Sequence, residues 1–130
     1  MVDITPAVGE GRQLIQSYGG GGFRIAGVDY AGSVLIEAEQ TSLWPVSDPS
    51  AVSLESLSPL THSVDASLPG GTVLLVGTGS GTAAVDTGLR ADLRRMGIGL
   101  EVMSTGAACR TFNVLLAEDR AVLAALIAVP

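Results

Sequence analysis

The chain has 130 residues, with 13 acidic side chains against seven arginines, no lysine, and a formal charge of −6. That length predicts one domain over residues 1–130 with one sizeable core. A pI near 4.5 argues against nucleic acid or an anionic membrane as partner, because both demand a dense basic face.

The residue counts also remove chemistry. Without lysine there is neither a Walker A lysine nor a Schiff base. One histidine (His62) and one cysteine (Cys109) exclude a Cys/His zinc site and an internal disulfide. The N-terminal stretch MVDITPAVGEGR lacks a basic region followed by an apolar one, and Ala121–Val129 is too short to span a bilayer. The expectation is a cytoplasmic protein without membrane insertion, cofactor or metal.

In chain order, Gly19–Gly22 reads as a permissive turn. Phe23–Ile25, Val28–Tyr30 and Ser33–Ile36 then read as three strands of an antiparallel meander, with Trp44 as a core plug beneath it. Ser53–His62 is predicted as a short helix capped by Ser53, although Pro59 within it opposes helix continuation. His62 at its end is expected in solvent. Thr72–Val76 is a continuous apolar run of the kind buried on both faces.

A helix over Ala83–Met96 follows, since Val85, Leu89, Leu93 and Met96 form one apolar stripe. Asp86, Arg90 and Arg94 lie at four-residue spacing on another strip, and Gly97 stops the helix. Leu100–Met103 reads as a strand. Thr105 is placed as the cap of a helix reaching about Ala117, and about Arg120–Ile127 as the last strand. This alternation predicts an α/β unit with crossover connections and parallel neighbours.

If the strands at 72–76 and 100–103 are parallel, the loops Gly77–Gly81 and Ser104–Cys109 leave from the same sheet edge. Each is expected to open a helix N-terminus, where free amides and the dipole favour an anion. Arg110 would add a charged donor. Gly77, Thr78, Gly79, Thr105, Cys109 and Arg110 are therefore the candidate ligand-binding residues. A dinucleotide loop fails, because Thr82 stands where G-x-G-x-x-G needs glycine. A nucleophile elbow fails because Thr78 and Thr82 flank Ser80. Cys109 reads either as a thiol activated beside Arg110 or, preferably, as a small buried filler. Glu37 and Glu39 read as a solvated strand edge.

Two stretches carry a family resemblance. The first is Tyr18-Gly19-Gly20-Gly21-Gly22-Phe23-Arg24-Ile25 with Gly27, Tyr30, Gly32–Ile36 and Trp44. The second joins Leu74–Gly79 to Gly97-Ile98-Gly99-Leu100-Glu101-Val102-Met103, Thr105, Ala107–Asn113 and Glu118. Together they resemble the domain of unknown function 498 family, over nearly the whole chain. The family includes a mitochondrial assembly factor of respiratory complex I and the adipogenesis-associated domain proteins.

The resemblance implies a three-layer α/β fold around a mixed sheet, with the β meander joined to a β-α-β-α-β unit. It implies no catalytic residues. Its motif adds Glu101, Thr111 and Asn113 to the candidate site residues, and Ser80–Gly88 departs from the family pattern. The function it implies is a non-enzymatic accessory or scaffold protein with protein partners, among them respiratory-complex assembly intermediates. The alternative is an anion-binding protein or enzyme using the helix N-termini near Gly79 and Cys109-Arg110. A mean hydropathy of +0.46 fits apolar surface for a partner or a homo-oligomer, and equally a core rich in alanine, valine and leucine.

Overall fold

A computed structural model describes residues 2–4, 12–62, 64–65 and 70–130. The N-terminal stretch read above for a leader lies largely outside the described residues. Among the described residues, nine strands form two sheets. The first sheet is antiparallel, in the order β1 (Val2–Asp3), β2 (Ile15–Gly19), β3 (Gly22–Ile25) and β4 (Val28–Ala31). The second contains β5 (Val34–Ile36), β6 (Thr41–Leu43), β7 (Thr72–Gly77), β8 (Ile98–Met103) and β9 (Val122–Leu126) in the order β6-β5-β9-β7-β8. In it, β7 runs parallel to β8 and β9, while β5 is antiparallel to β6 and β9. The sheet is mixed, and the predicted α/β class holds.

Period-two alternation within apolar runs explains how this sheet is covered on both faces. Leu35, Leu74, Val76, Ile98, Leu100, Leu123, Ala125 and Ile127 enter one core, with α1 (Ser58–Thr61), α2 (Leu89–Arg94) and Trp44. Val34, Ile36, Leu75, Val122, Ala124 and Leu126 enter the other. There they meet Ala108, Cys109, Phe112 and Leu116 of α3 (Thr105–Ala117), together with Ile15, Phe23 and Ile25 of the first sheet. The result is three layers.

Several expectations need correction. The meander does not contain residues 33–36: β5 belongs to the large sheet, where all three of its residues are buried. A meander strand with one open face would alternate, as β2 does. That strand was not foreseen, although Ile15, Ser17 and Gly19 alternate in burial with Gln16 and Tyr18. Gly19–Gly22 is the turn that was read: Gly20 and Gly21 join β2 to β3 with φ of +62° and +84°, values that glycine adopts without strain. Trp44 is 4% exposed and donates its Nε1–H to the Ser56 carbonyl at 2.9 Å. It is a core residue, but on the face opposite the meander.

Both short helices were read too long. The Ser53 hydroxyl accepts from Ser56 N–H at 3.0 Å, and the Ser53 N–H donates to Ser56 Oγ at 2.9 Å. This reciprocal turn precedes α1, in whose first turn Pro59 sits. Proline can begin a helix but cannot continue one. His62 is exposed, as expected. The stripe Val85, Leu89, Leu93, Met96 does pack on the core, yet only Leu89–Arg94 is helical. Thr87 and Gly88 disfavour an earlier start, and the Thr78 hydroxyl accepts from the Ala83 N–H at 3.0 Å. Consequently Asp86, Arg90 and Arg94 do not form the predicted strip. Arg95 instead pairs with Asp92 at 2.7 Å, and the chain leaves α2 through the Gly97 N–H on the Arg94 carbonyl (3.0 Å).

Candidate functional site

The loops after β7 and β8 converge at the carboxyl edge of the parallel strands, as the sequence predicts, but chiefly to bond one another. Thr78 N–H donates to the Met103 carbonyl at 2.9 Å, and Thr105 N–H to the Gly79 carbonyl at 2.9 Å. Thr105 Oγ1 accepts from the Gly79 N–H at 2.9 Å and donates to the Ile127 carbonyl at 2.7 Å. Thr105 is thus not the helix cap. That role falls to Ser104, whose Oγ accepts from the Ala107 N–H at 3.4 Å. Thr105 lies one residue inside α3, with no exposed surface, tying three segments together. Gly77 permits this approach: a Cβ there would stand 2.9 Å from Thr105 Cα and 3.1 Å from Leu126 Cδ2. The loop after β7 opens no helix, since α2 begins only at Leu89.

Above this knot lies an open cleft of 320 Å³, lined by Tyr18, Gly79, Ser80, Ser104, Gly106 and Arg110, with the C-terminal residues beside them. Arg110 Nη1 donates to Tyr18 Oη at 3.2 Å. The Tyr18 ring rests on the first turn of α3, where a Cβ on Gly106 would meet Tyr18 Oη at 2.6 Å. Of the nine candidate residues, Gly79 and Arg110 line the cleft, and Gly77, Thr78 and Thr105 support it from beneath. Glu101 is exposed on β8 and Thr111 half-buried on α3; neither lines the cleft. Tyr18 is the contributor that spacing arguments missed. Only β2, itself unforeseen, carries it there.

Asn113 is 2% exposed and points to the first sheet. Its Oδ1 accepts from the Ile15 N–H at 3.0 Å, and its Nδ2 donates to the Ile15 carbonyl at 2.8 Å. Glu37 and Glu39 flank a separate groove near Arg120. Among the described residues no three His, Cys, Asp or Glu side chains cluster as a metal site would require.

Cys109 is completely buried. Burial pushes its thiol up to about 12, against the neighbouring Arg110 charge, which lowers it. The neutral filler reading therefore holds, and two results are expected. Iodoacetamide at pH 8 should leave Cys109 unmodified in the folded protein and alkylate it after denaturation. The second result concerns alkaline stability. The unfolded thiol ionises near its ordinary 9.0 while the folded one keeps its proton. Stability is then full below pH 9 and falls as pH rises, by about 1.4 kcal/mol per unit and about 4 kcal/mol by pH 12. Denaturant melts of the wild type and Cys109→Ala, compared between pH 8 and 11, isolate this dependence. A parallel decline in both would contradict it.

The architecture defines a class: a mixed-sheet α/β protein with a second antiparallel sheet and one long helix packed together on one face. The family model for proteins of unknown function DUF498/DUF598 matches residues 15–127, and the chain belongs to that family. It is 40% identical over 116 residues to an uncharacterised protein of Rhodobacter capsulatus, covering 89% of this chain and 85% of that one. It is 35% identical over 114 residues to NADH dehydrogenase (ubiquinone) 1 alpha subcomplex assembly factor 3 of Xenopus tropicalis, covering 88% of this chain. The match spans only 60% of the frog protein's length. Among solved structures, a chain described as an outer membrane protein from Bartonella henselae superposes with a TM-score of 0.82 at 40% identity, covering 93% of this chain and 98% of that one. No helix among the described residues is long and apolar enough to cross a membrane.

Proposed function

We propose that this chain is a non-enzymatic accessory or scaffold module that acts from the cytoplasm to help assemble a membrane-bound respiratory NADH dehydrogenase. The observation that carries this reading is the 35% identity, over 88% of the chain, to a protein named as an assembly factor of that enzyme. The use of the motif side chains supports it. Thr105 and Asn113 spend their polar atoms on backbone partners, and Cys109 is filler in a core. What the fold offers outward is surface, the natural currency of a protein that binds other proteins.

Co-purification of the tagged full chain from gently solubilised membranes of its host tests the proposal. We expect NADH dehydrogenase subunits or their partial assemblies to be enriched over a control tag. Recovery of the chain alone would contradict it. A second reading, binding of a small anion in the cleft beside Arg110, rests on that exposed cation standing over the start of a 13-residue helix. It requires amide shifts of Ser80, Ser104 and Gly106 on phosphate titration that Arg110→Ala abolishes; their absence would dismiss it.

A further inference from the structure

Helix α3 turns Ala108, Cys109, Phe112 and Leu116 into the core. At 3.6 residues per turn, its opposite side carries Ala107, Arg110, Thr111, Val114, Ala117 and Glu118. Ala107 and Thr111 are half-buried and the other four are exposed. Four large apolar side chains are exposed among the described residues, and Val114, at 57%, is the one that stands on a helix.

Arg110 lies about one turn before Val114, and Glu118 about one turn after it. Among the described residues neither makes an ion pair. Arg110 spends one guanidinium nitrogen on the Tyr18 hydroxyl, at 3.2 Å, and keeps further N–H groups for a carboxylate. Neighbouring Asp119 is already taken by Arg12. Glu118 is the C-cap of α3, and no basic residue stands in the last turn. A carboxylate there meets the negative end of the helix dipole, where a cation would be favourable.

Two such faces complement each other in one orientation. A two-fold axis through Val114, perpendicular to the helix, sets two copies of α3 antiparallel. Val114 then meets Val114, Thr111 meets Ala117, and Arg110 of each copy meets Glu118 of the other. Both ion pairs form together, because the two charges lie equally far from the axis on opposite sides. Each Arg110 also brings to the other copy's helix C-terminus the cation it lacks. A parallel pair would instead set Arg110 on Arg110 and Glu118 on Glu118, which is repulsive.

We propose that the outer face of α3 is the contact through which two copies of this chain form an antiparallel dimer, with Val114 on the two-fold axis and an Arg110–Glu118 ion pair on either side. A 13-residue helix is about 20 Å long, so the contact falls below the roughly 1,600 Å² of a standard interface. The dimer is therefore weak, with a Kd of about 0.1 mM. Salt weakens it further, because its ion pairs lie near solvent.

Charge exchange supplies the test. Arg110→Glu and Glu118→Arg each turn two attractions into two repulsions in their own homodimer. Mixed one to one, the two variants regain both ion pairs between unlike copies: the changed side chains attract each other, and so do the native ones. Sedimentation equilibrium up to about 1 mM protein at about 0.05 M salt, with thermal melts to verify folding, should find the wild type in reversible monomer–dimer exchange. Each single variant should self-associate at least about tenfold more weakly. The mixture and the double variant Arg110→Glu/Glu118→Arg should recover the wild-type association. Val114→Glu, which leaves Arg110 on Tyr18 and sets two carboxylates on the axis, should also abolish it. A wild type monomeric at about 1 mM, variants that associate as the wild type does, or a mixture no tighter than its separate components would each overturn the proposal.

Discussion

Asn113→Leu is expected to cost about 4 kcal/mol of folding stability, because it leaves two buried backbone groups without partners at about 1–3 kcal/mol each. The asparagine amide satisfies both the N–H and the C=O of Ile15, at 3.0 and 2.8 Å. It acts as a one-residue continuation of the sheet at the point where the β2–β3 register shifts between Ile15 and Ser17. Leucine has similar volume but neither donor nor acceptor, so cavity formation contributes little and the loss reports the hydrogen bonds. For a chain this size, that loss lowers Tm by roughly 15 °C. Urea melts measure it directly, and a change under about 0.5 kcal/mol would refute the bridging role.

The second large effect is expected at Thr105. Thr105→Val keeps shape and removes the hydroxyl, stranding the Gly79 N–H and the Ile127 carbonyl, which Thr105 Oγ1 now joins at 2.9 and 2.7 Å. We expect a loss of about 3 kcal/mol, whereas Thr105→Ser, which retains both hydrogen bonds, should lose about 1 kcal/mol. The contrast matters more than either value. Threonine at a helix end is commonly a cap, and a merely capping residue would be exposed and would lose only about 1 kcal/mol on replacement. Amide exchange at Gly79 should accelerate in the valine variant and remain slow in the serine variant. A larger loss in the serine variant than in the valine variant would mean that the methyl group, not the hydroxyl, fixes this junction.

These two residues show what the sequence makes legible and what it does not. The continuous run Thr72–Val76 and the apolar stripe of α3 announced a buried parallel strand and a covering helix, because burial on two faces or on one leaves a distinct pattern. The convergence of the loops after β7 and β8 followed from parallel order alone. The strand β5 was legible as a strand but not as a member of the second sheet: three apolar residues carry no record of which sheet they join. The stripe from Val85 to Met96 predicted burial correctly and conformation incorrectly over 83–88, since an extended segment can deliver Val85 to the same core.

The candidate site divided along similar lines. Proximity was inferable from topology, but the direction of each polar side chain was not. Thr105 was placed among the ligand-binding candidates by the convergence of its loop with that after β7, and Asn113 by the family motif. Their hydrogen bonds go to Ile15 and to Gly79 and Ile127, residues distant in sequence that only the packed fold brings near. Tyr18, part of the family motif, was not placed at the site for the converse reason, lying on a strand whose alternation is short and interrupted by Ser17.

The most direct measurement of the proposed role is the amount of assembled NADH dehydrogenase in membranes of a host strain lacking this chain, resolved on native gels and stained for activity. We expect the assembled enzyme to fall and partial assemblies to accumulate, with both restored by the full-length chain and by Cys109→Ala, whose thiol is only core filler. An unchanged amount of assembled, active enzyme in the deletion strain would contradict a role in its assembly.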